Sequence, residues 1–399
     1  MASIKNVKQK SLVNFLEWAA AWEIVIFSGN QGAVKLLSGG PKGILTLLTC
    51  LLLWGIKSNK RFNIFSFGLM CLMSMWLVMG TLMGSYTFTS LVGPPGTVLC
   101  VYLLLSVSDF RIFRERLLKA LSQLSAATLI TYVIYITTGI GRGERQGRVA
   151  VQVFYLFRDW GGRVASIYQE PGQYQIIIFF ILVLFVDEFV KINPTNMRYY
   201  VRKFGVIIVA LLASQSSMGY ICLALLLALV FTFNKSVKHN IIVYALIFLA
   251  GIATVFFIWQ SDTIQQKIDP RNMLTRTSSL AERVADSFML LRMSFISPWT
   301  GLGLRSYDYY HYGSVYGGFP HGDGVNGWLN VAVCLGWPFF FLLIGSMIRG
   351  LGRMKQGIPP LLVFAVLLLS QADETYALYY TTFLYVFPFN SYDTQEKLS

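Results

Sequence analysis

The chain has 399 residues, of which 55% are hydrophobic and 13% charged, with a mean hydropathy of +0.56. Soluble domains carry about 25% charged residues, so these values exclude an ordinary soluble fold and point to a polytopic membrane protein. The net charge of +14 is divided between the edges of apolar runs and two arginine-rich stretches, which makes nucleic-acid binding a poor explanation of it.

The first ten residues are basic and lead into an apolar stretch that holds Glu17 and Glu23. No small-residue cleavage pattern follows, so the first helix is expected to be retained. Apolar runs between charges and turn residues predict spans near 14–28, 43–56, 63–84, 91–107, 118–138, 172–190, 204–214, 216–232, 240–259, 323–348, 358–372 and 375–390. The expected fold is an all-α polytopic integral membrane helix bundle of about twelve spans, a single membrane domain over 1–399. Around Ser214-Gln215-Ser216-Ser217 the pattern fits one broken helix or two. The choice sets the direction of everything downstream.

Lysine and arginine in short loops favour the cytoplasmic side. With both termini there, 20 of the 33 basic residues fall in cytoplasmic segments, and eleven of the other 13 sit in two long external loops, 139–171 and 260–322. These eleven comprise ten arginines and one lysine. Arginine offers a planar fork that holds phosphate through two bonds, whereas lysine is a point charge. The bias favours phosphate recognition, set against interfacial arginines that only touch lipid headgroups.

The smaller loop ends in Arg163-Val164-Ala165-Ser166-Ile167-Tyr168-Gln169-Glu170-Pro171, an arginine and a carboxylate ahead of an apolar run from Tyr174. A charge pair at a membrane surface suggests a charged, lipid-linked ligand. In the larger loop, Ser279 and Glu282 fit a capping box, and Leu280, Val284, Phe288 and Leu291 fall on one face of a predicted amphipathic helix. Arg283 and Arg292 on that helix need not share a face; Arg276 precedes it. A turn-rich strip, Ile296 to Arg305, comes next, then Tyr307, Tyr309, Tyr310, Tyr312, Tyr316 and Phe319, which suit interfacial anchoring or stacking on sugar rings. His321, in Pro320-His321-Gly322-Asp323, stands at a loop-to-helix junction as a general base, an anion donor or a structural residue. His311 and His239 are weaker candidates.

No P-loop, Cys-x-x-Cys, His-Glu-x-x-His or acidic metal cluster is present, and no metal or cofactor is expected. All five cysteines lie in predicted spans, where they serve as small apolar residues.

The order Arg163-x4-Tyr168-x-Glu170-Pro171, the break Ala213-Ser214-Gln215-Ser216-Ser217-Met218-Gly219, Arg283 ahead of Ser297-Pro298-Trp299-Thr300-Gly301-Leu302-Gly303, and His321-Gly-Asp-Gly-Val-Asn326 entering a helix with Leu335-Gly336 resembles Wzy-type O-antigen and exopolysaccharide polymerases. The last element is also similar to O-antigen ligases. The resemblance covers roughly 140–350 and rests on order and spacing. His321 is followed by glycine where those families usually have asparagine. The resemblance implies a GT-C-like bundle with a periplasmic active site in the bacterial inner membrane. It also implies metal-independent transfer of a glycan from undecaprenyl-diphosphate-linked oligosaccharides, with a chain-length regulator as a further partner. Carried onto this chain, Arg163 and Arg283 meet the diphosphate; Arg276, Arg292 and Arg305 of the arginine-rich loop and Tyr168 are expected as further substrate contacts beside that match. His321 matches the shared histidine and Glu170 the polymerase-like Glu-Pro.

The chemistry asks for the same residue types. A departing diphosphate needs fixed positive charge, and the attacking hydroxyl needs a base. His321 leads for that role over Glu170, Asp323 and Glu282. The Tyr168-Glu170-Pro171 strip favours a polymerase over a ligase. A transporter or flippase, the third class, should place ionisable residues mid-span, and few exist beyond Glu17, Glu23, Asp187 and Glu188.

Overall fold

The computed structural model describes residues 2–28, 40–58, 60–84, 93–139, 142–146, 149–152, 157–160, 162–168, 170–193, 195–234, 279–304, 306–316, 326–354, 357–371 and 378–387. Its helices are α1 (Ala2–Phe27), α2 (Gly40–Ile56), α3 (Ile64–Leu82), α4 (Pro94–Val107), α5 (Phe110–Thr138), α6 (Pro171–Val183), α7 (Val186–Phe189), α8 (Met197–Ala213), α9 (Ser217–Phe233), α10 (Ser279–Ser294), α11 (Tyr307–Val315), α12 (Gly327–Arg353), α13 (Pro360–Ser370) and α14 (Tyr380–Phe383). Between α5 and α6 lies an antiparallel meander of β1 (Arg142–Gln146), β2 (Val149–Gln152), β3 (Phe157–Trp160) and β4 (Val164–Ser166). The bundle is thus helical, as expected, but the smaller loop is folded into a sheet. Ala150 pairs with Arg145 and Asp159, and Arg158 with Ser166.

Helix starts follow local chemistry. Asn63, Asp109, Ser216 and Asn326 each accept a backbone N–H in the first turn of α3, α5, α9 and α12. Proline occupies the first turn of α4, α6 and α13, where its missing N–H costs nothing.

Among the described residues, three helices, α3, α5 and α12, are long and apolar enough to cross a membrane; α2, α4, α6, α9 and α13 are shorter apolar helices. The outward surface agrees, with Ile64 80%, Leu361 65% and Ile130 60% exposed. Such apolar exposure on helices whose inner faces are packed is compatible with a membrane protein.

Ion pairs fix one end of the bundle. Glu17 of α1 pairs with Lys57, just past α2, and with Arg116 of α5. Arg114 of α5 donates to Asp187 (2.7 Å) and Glu188 (3.2 Å) and to the Leu184 carbonyl (2.8 Å). That buried carbonyl is released from the helix ladder because α6 stops at Val183 before the short α7, so the run expected as one helix over 172–190 is broken there. Lys203 of α8 bridges Glu188 (2.8 Å) and Glu115 (2.7 Å). Burial alone would lower the Lys203 pKa, but the hydrogen bonds and charges of the two glutamates outweigh it and hold the ammonium above its ordinary value.

From this basic end α5 rises about 43 Å over its 29 residues to the sheet, and α6 returns. Helix α8 then rises again, and Gln215 at its top reaches the Gly162 carbonyl (3.4 Å) beside β4. Helix α9 descends until Asn234 bonds the Ile192 carbonyl (2.8 Å). The Ser-rich break therefore separates two antiparallel helices, closed by Gln215 in the left-handed region at φ 46°. The expected span at 240–259 lies outside the described residues, and within 375–390 the described helix is only α14.

Candidate functional site

The sheet end gathers the starts of three helices. Helix α6 opens at Glu170, an extended residue whose side chain does not cap the first turn. Helix α9 opens at Ser216 and α12 at Asn326. Helix N-termini carry partial positive charge and unpaired N–H groups, so this end is disposed toward anions.

Hydrogen bonds tie these starts together. Asn326 donates to Ser287 of α10 (3.2 Å) while accepting Leu329 N–H (3.1 Å). Gly327 N–H donates to the Gln371 carbonyl (3.3 Å), and Gln175 of α6 donates to the neighbouring Ser370 carbonyl (2.9 Å). The helix bearing Arg283 is thereby linked through the head of α12 and the end of α13 to the helix headed by Glu170.

Arg163 is half-buried. It follows Gly162, whose carbonyl accepts from Gln215 of the Ser-rich break. Its neighbours are fixed: Gly162 offers its carbonyl to Tyr132 (2.9 Å) and Gln215 (3.4 Å), and Ser166 bonds Thr128 (2.7 Å). Ser166 and Gln215 are the two non-glycine residues with positive φ among the described ones, at 57° and 46°. Strain of this kind costs about 1–3 kcal/mol per residue and gathers at functional sites.

Tyr168 is fully buried, its ring stacked on Tyr174 and its hydroxyl donating to the Val25 carbonyl (2.6 Å). Expected as a substrate contact, it faces the interior and holds β4 against α1. Arg283 is half-buried and Arg292 exposed, on opposite sides of α10 as their spacing allows. Helix α10 forms where expected, but its packed face differs. Met289, Leu290, Met293 and Asp286 are buried, whereas Val284, Phe288 and Leu291 are exposed. Because both faces carry apolar side chains, sequence periodicity could not choose between them. Arg276, Arg305, His321, Asp323 and His239 lie outside the described residues, as does the Glu282 side chain. His311 is exposed and stacked on Tyr307 at 5.8 Å.

The strip after α10 docks onto a break in α12. At Gly336 the helix departs from helical geometry (φ 81°, ψ 164°), and Pro338 follows. Carbonyls freed there accept N–H groups from Leu302 (onto Val333, 2.8 Å), Gly303 (onto Cys334, 3.0 Å) and the Trp76 indole (onto Leu335, 2.8 Å), while Trp337 N–H donates to Pro298 (2.8 Å). Gly301 and Gly336 each lie at positive φ, and a Cβ on either would stand 2.3 Å from Cys334 or 2.6 Å from Trp299 backbone. Two sequence elements separated by 31 residues, Gly301-Leu302-Gly303 and Leu335-Gly336, thus form one structural unit.

Sequence reasoning missed three glutamines. Among the described residues, the fully buried Gln371 has a partner for neither amide atom, and Gln173 and Gln175 each leave an amide oxygen without one. Buried amides left unpaired cost about 1–3 kcal/mol. The signal in the sequence was glutamine inside apolar runs. The orphan oxygens of Gln173 and Gln175 are acceptors, and Gln371 leaves one acceptor and one donor.

Comparison with profiles of known families, with characterised proteins and with solved structures finds no match to this chain. The chain is an apolar helical bundle with membrane-crossing character, and its sheet end is polar and bears Arg163.

Proposed function

We propose that the chain is a membrane glycosyltransferase that polymerises undecaprenyl-diphosphate-linked oligosaccharide repeat units. The observation that carries this reading is the joining, at one end of the bundle, of the elements bearing Arg163, Glu170 and Arg283 with the heads of α6, α9 and α12. In this reading the acceptor hydroxyl attacks the anomeric carbon of the donor sugar, and its proton passes to His321 or Glu170. The bond from that carbon to the diphosphate oxygen breaks, and Arg163 and Arg283 stabilise the departing charge, with no metal required. Arg276, Arg292 and Arg305 extend the anion-binding surface.

The bundle is GT-C-like, with about twelve spans in the bacterial inner membrane, both termini cytoplasmic and the sheet end periplasmic. The chain's partners are the lipid-linked donor and acceptor, membrane lipids and a chain-length regulator. Against a transporter, three of the four acids near the spans, Glu17, Asp187 and Glu188, are held in ion pairs at the basic end, and Glu23 accepts from Thr49 (2.8 Å). An O-antigen ligase, which transfers the same glycan to lipid A-core, would use the same mouth. A deletion strain separates the two on a glycan gel: core with a single repeat marks a lost polymerase, and bare core with accumulating lipid-linked polymer marks a lost ligase.

A further inference from the structure

At the end opposite the sheet, α1, α5 and α8 enclose an open cleft of about 510 Å³, within the size range of small-ligand sites. Its floor is one face of α5, Ile112 to Ser122 at spacings of three and four. Four cations line it: Arg116 and Lys119 from the floor, Arg202 and Lys203 from α8. Two of these are already engaged, Arg116 with Glu17 and Lys203 with Glu115 and Glu188. Lys119 and Arg202 are exposed, and no carboxylate among the described residues pairs with either. Lys119 sits over the Trp18 ring, 5.3 Å from its centre. Including Lys57 and Arg114, the network has six cations against four carboxylates, Glu17, Glu115, Asp187 and Glu188. Two positive charges are therefore in excess.

We propose that this cleft holds the phosphate headgroup of an anionic glycerophospholipid. Excess charge beside Trp18 and Tyr199 is the arrangement that recognises acidic headgroups between helices. The cleft's lip is apolar, with Ile112 53% and Tyr199 56% exposed. Further along α5 the same face continues through the exposed Ile130 and Val133, giving an acyl chain a surface to follow. A free inorganic phosphate would have no use for that stripe. The assignment rests on the membrane-crossing character of the bundle and is independent of glycosyl transfer.

The test is native mass spectrometry of the purified full chain, released from micelles containing equal phosphatidylglycerol and phosphatidylcholine, with retained lipid as the readout. The wild type should retain phosphatidylglycerol selectively. Lys119→Gln and Arg202→Gln should each weaken retention about fivefold, the usual contribution of one cation at an acidic surface, and the double variant by the product. Both side chains are exposed, so the unfolding midpoint in detergent should not move. Equal retention of the two lipids, unchanged retention in the double variant, or displacement of the lipid by equimolar inorganic phosphate would each overturn the proposal.

Discussion

Arg163 is the residue on which the account turns, and its surroundings explain why. The strand that ends at Ser166 fixes it from one side, and Gln215 at the helical break fixes Gly162 from the other. Under the proposed function, Arg163→Ala should cut polymer yield by about 100-fold or more, the cost of removing one preorganised donor to a developing anion. Arg163→Lys should recover only part, because lysine lacks the fork. Densitometry of glycan ladders at matched expression reads both. Gln371 gives a different forecast. Leucine there removes a buried amide that has no partner among the described residues, so Gln371→Leu should raise the unfolding temperature while lowering polymerisation. A lower unfolding temperature would mean the amide stabilises the empty protein. Arg163 was visible in the sequence as a charge placed before an apolar run. Tyr168 was visible too, but nothing in the pattern told its phenol to turn inward to Val25.

The strip from Pro298 to Leu304 and the broken helix α12 stabilise each other, since each satisfies backbone groups the other exposes. Irregular backbone among apolar helices survives only where such partners exist. Gly336→Ala should therefore destabilise by about 2–4 kcal/mol, from an unfavourable φ and a Cβ forced against Trp299. Thermal unfolding in detergent measures this. Gln215→Gly should instead be neutral or stabilising by about 1 kcal/mol, because glycine accepts φ 46° without strain. Sequence patterning placed the break at Ser214–Ser216 but left one helix or two unresolved. The distinction came from long-range bonds, Gln215 to Gly162 and Asn234 to Ile192. The small sheet was hidden for another reason: strands of three to five residues are too short to declare a period of two.

Across the molecule, chain direction is set by the ion pairs at the basic end. Arg114 joins α5 to the interruption between α6 and α7 and lies against the Phe185 ring at 4.8 Å. Removing one member of a buried pair strands the other. Arg114→Ala should cost about 3–5 kcal/mol, seen as a lower unfolding midpoint. Most helix positions were legible because apolar runs end at charges and prolines; the pairing of those charges was not, since Arg114 meets residues some 70 positions away. Under the proposed function, Arg163 and Arg283 serve one glycan-transfer site. The most direct measurement is a glycan gel of a deletion strain carrying wild type, Arg163→Ala or Arg283→Ala at equal membrane abundance. The first should give a full ladder and both variants core with a single repeat; full-length ladders from the variants, or bare core in the deletion strain, would rule out one shared polymerisation site.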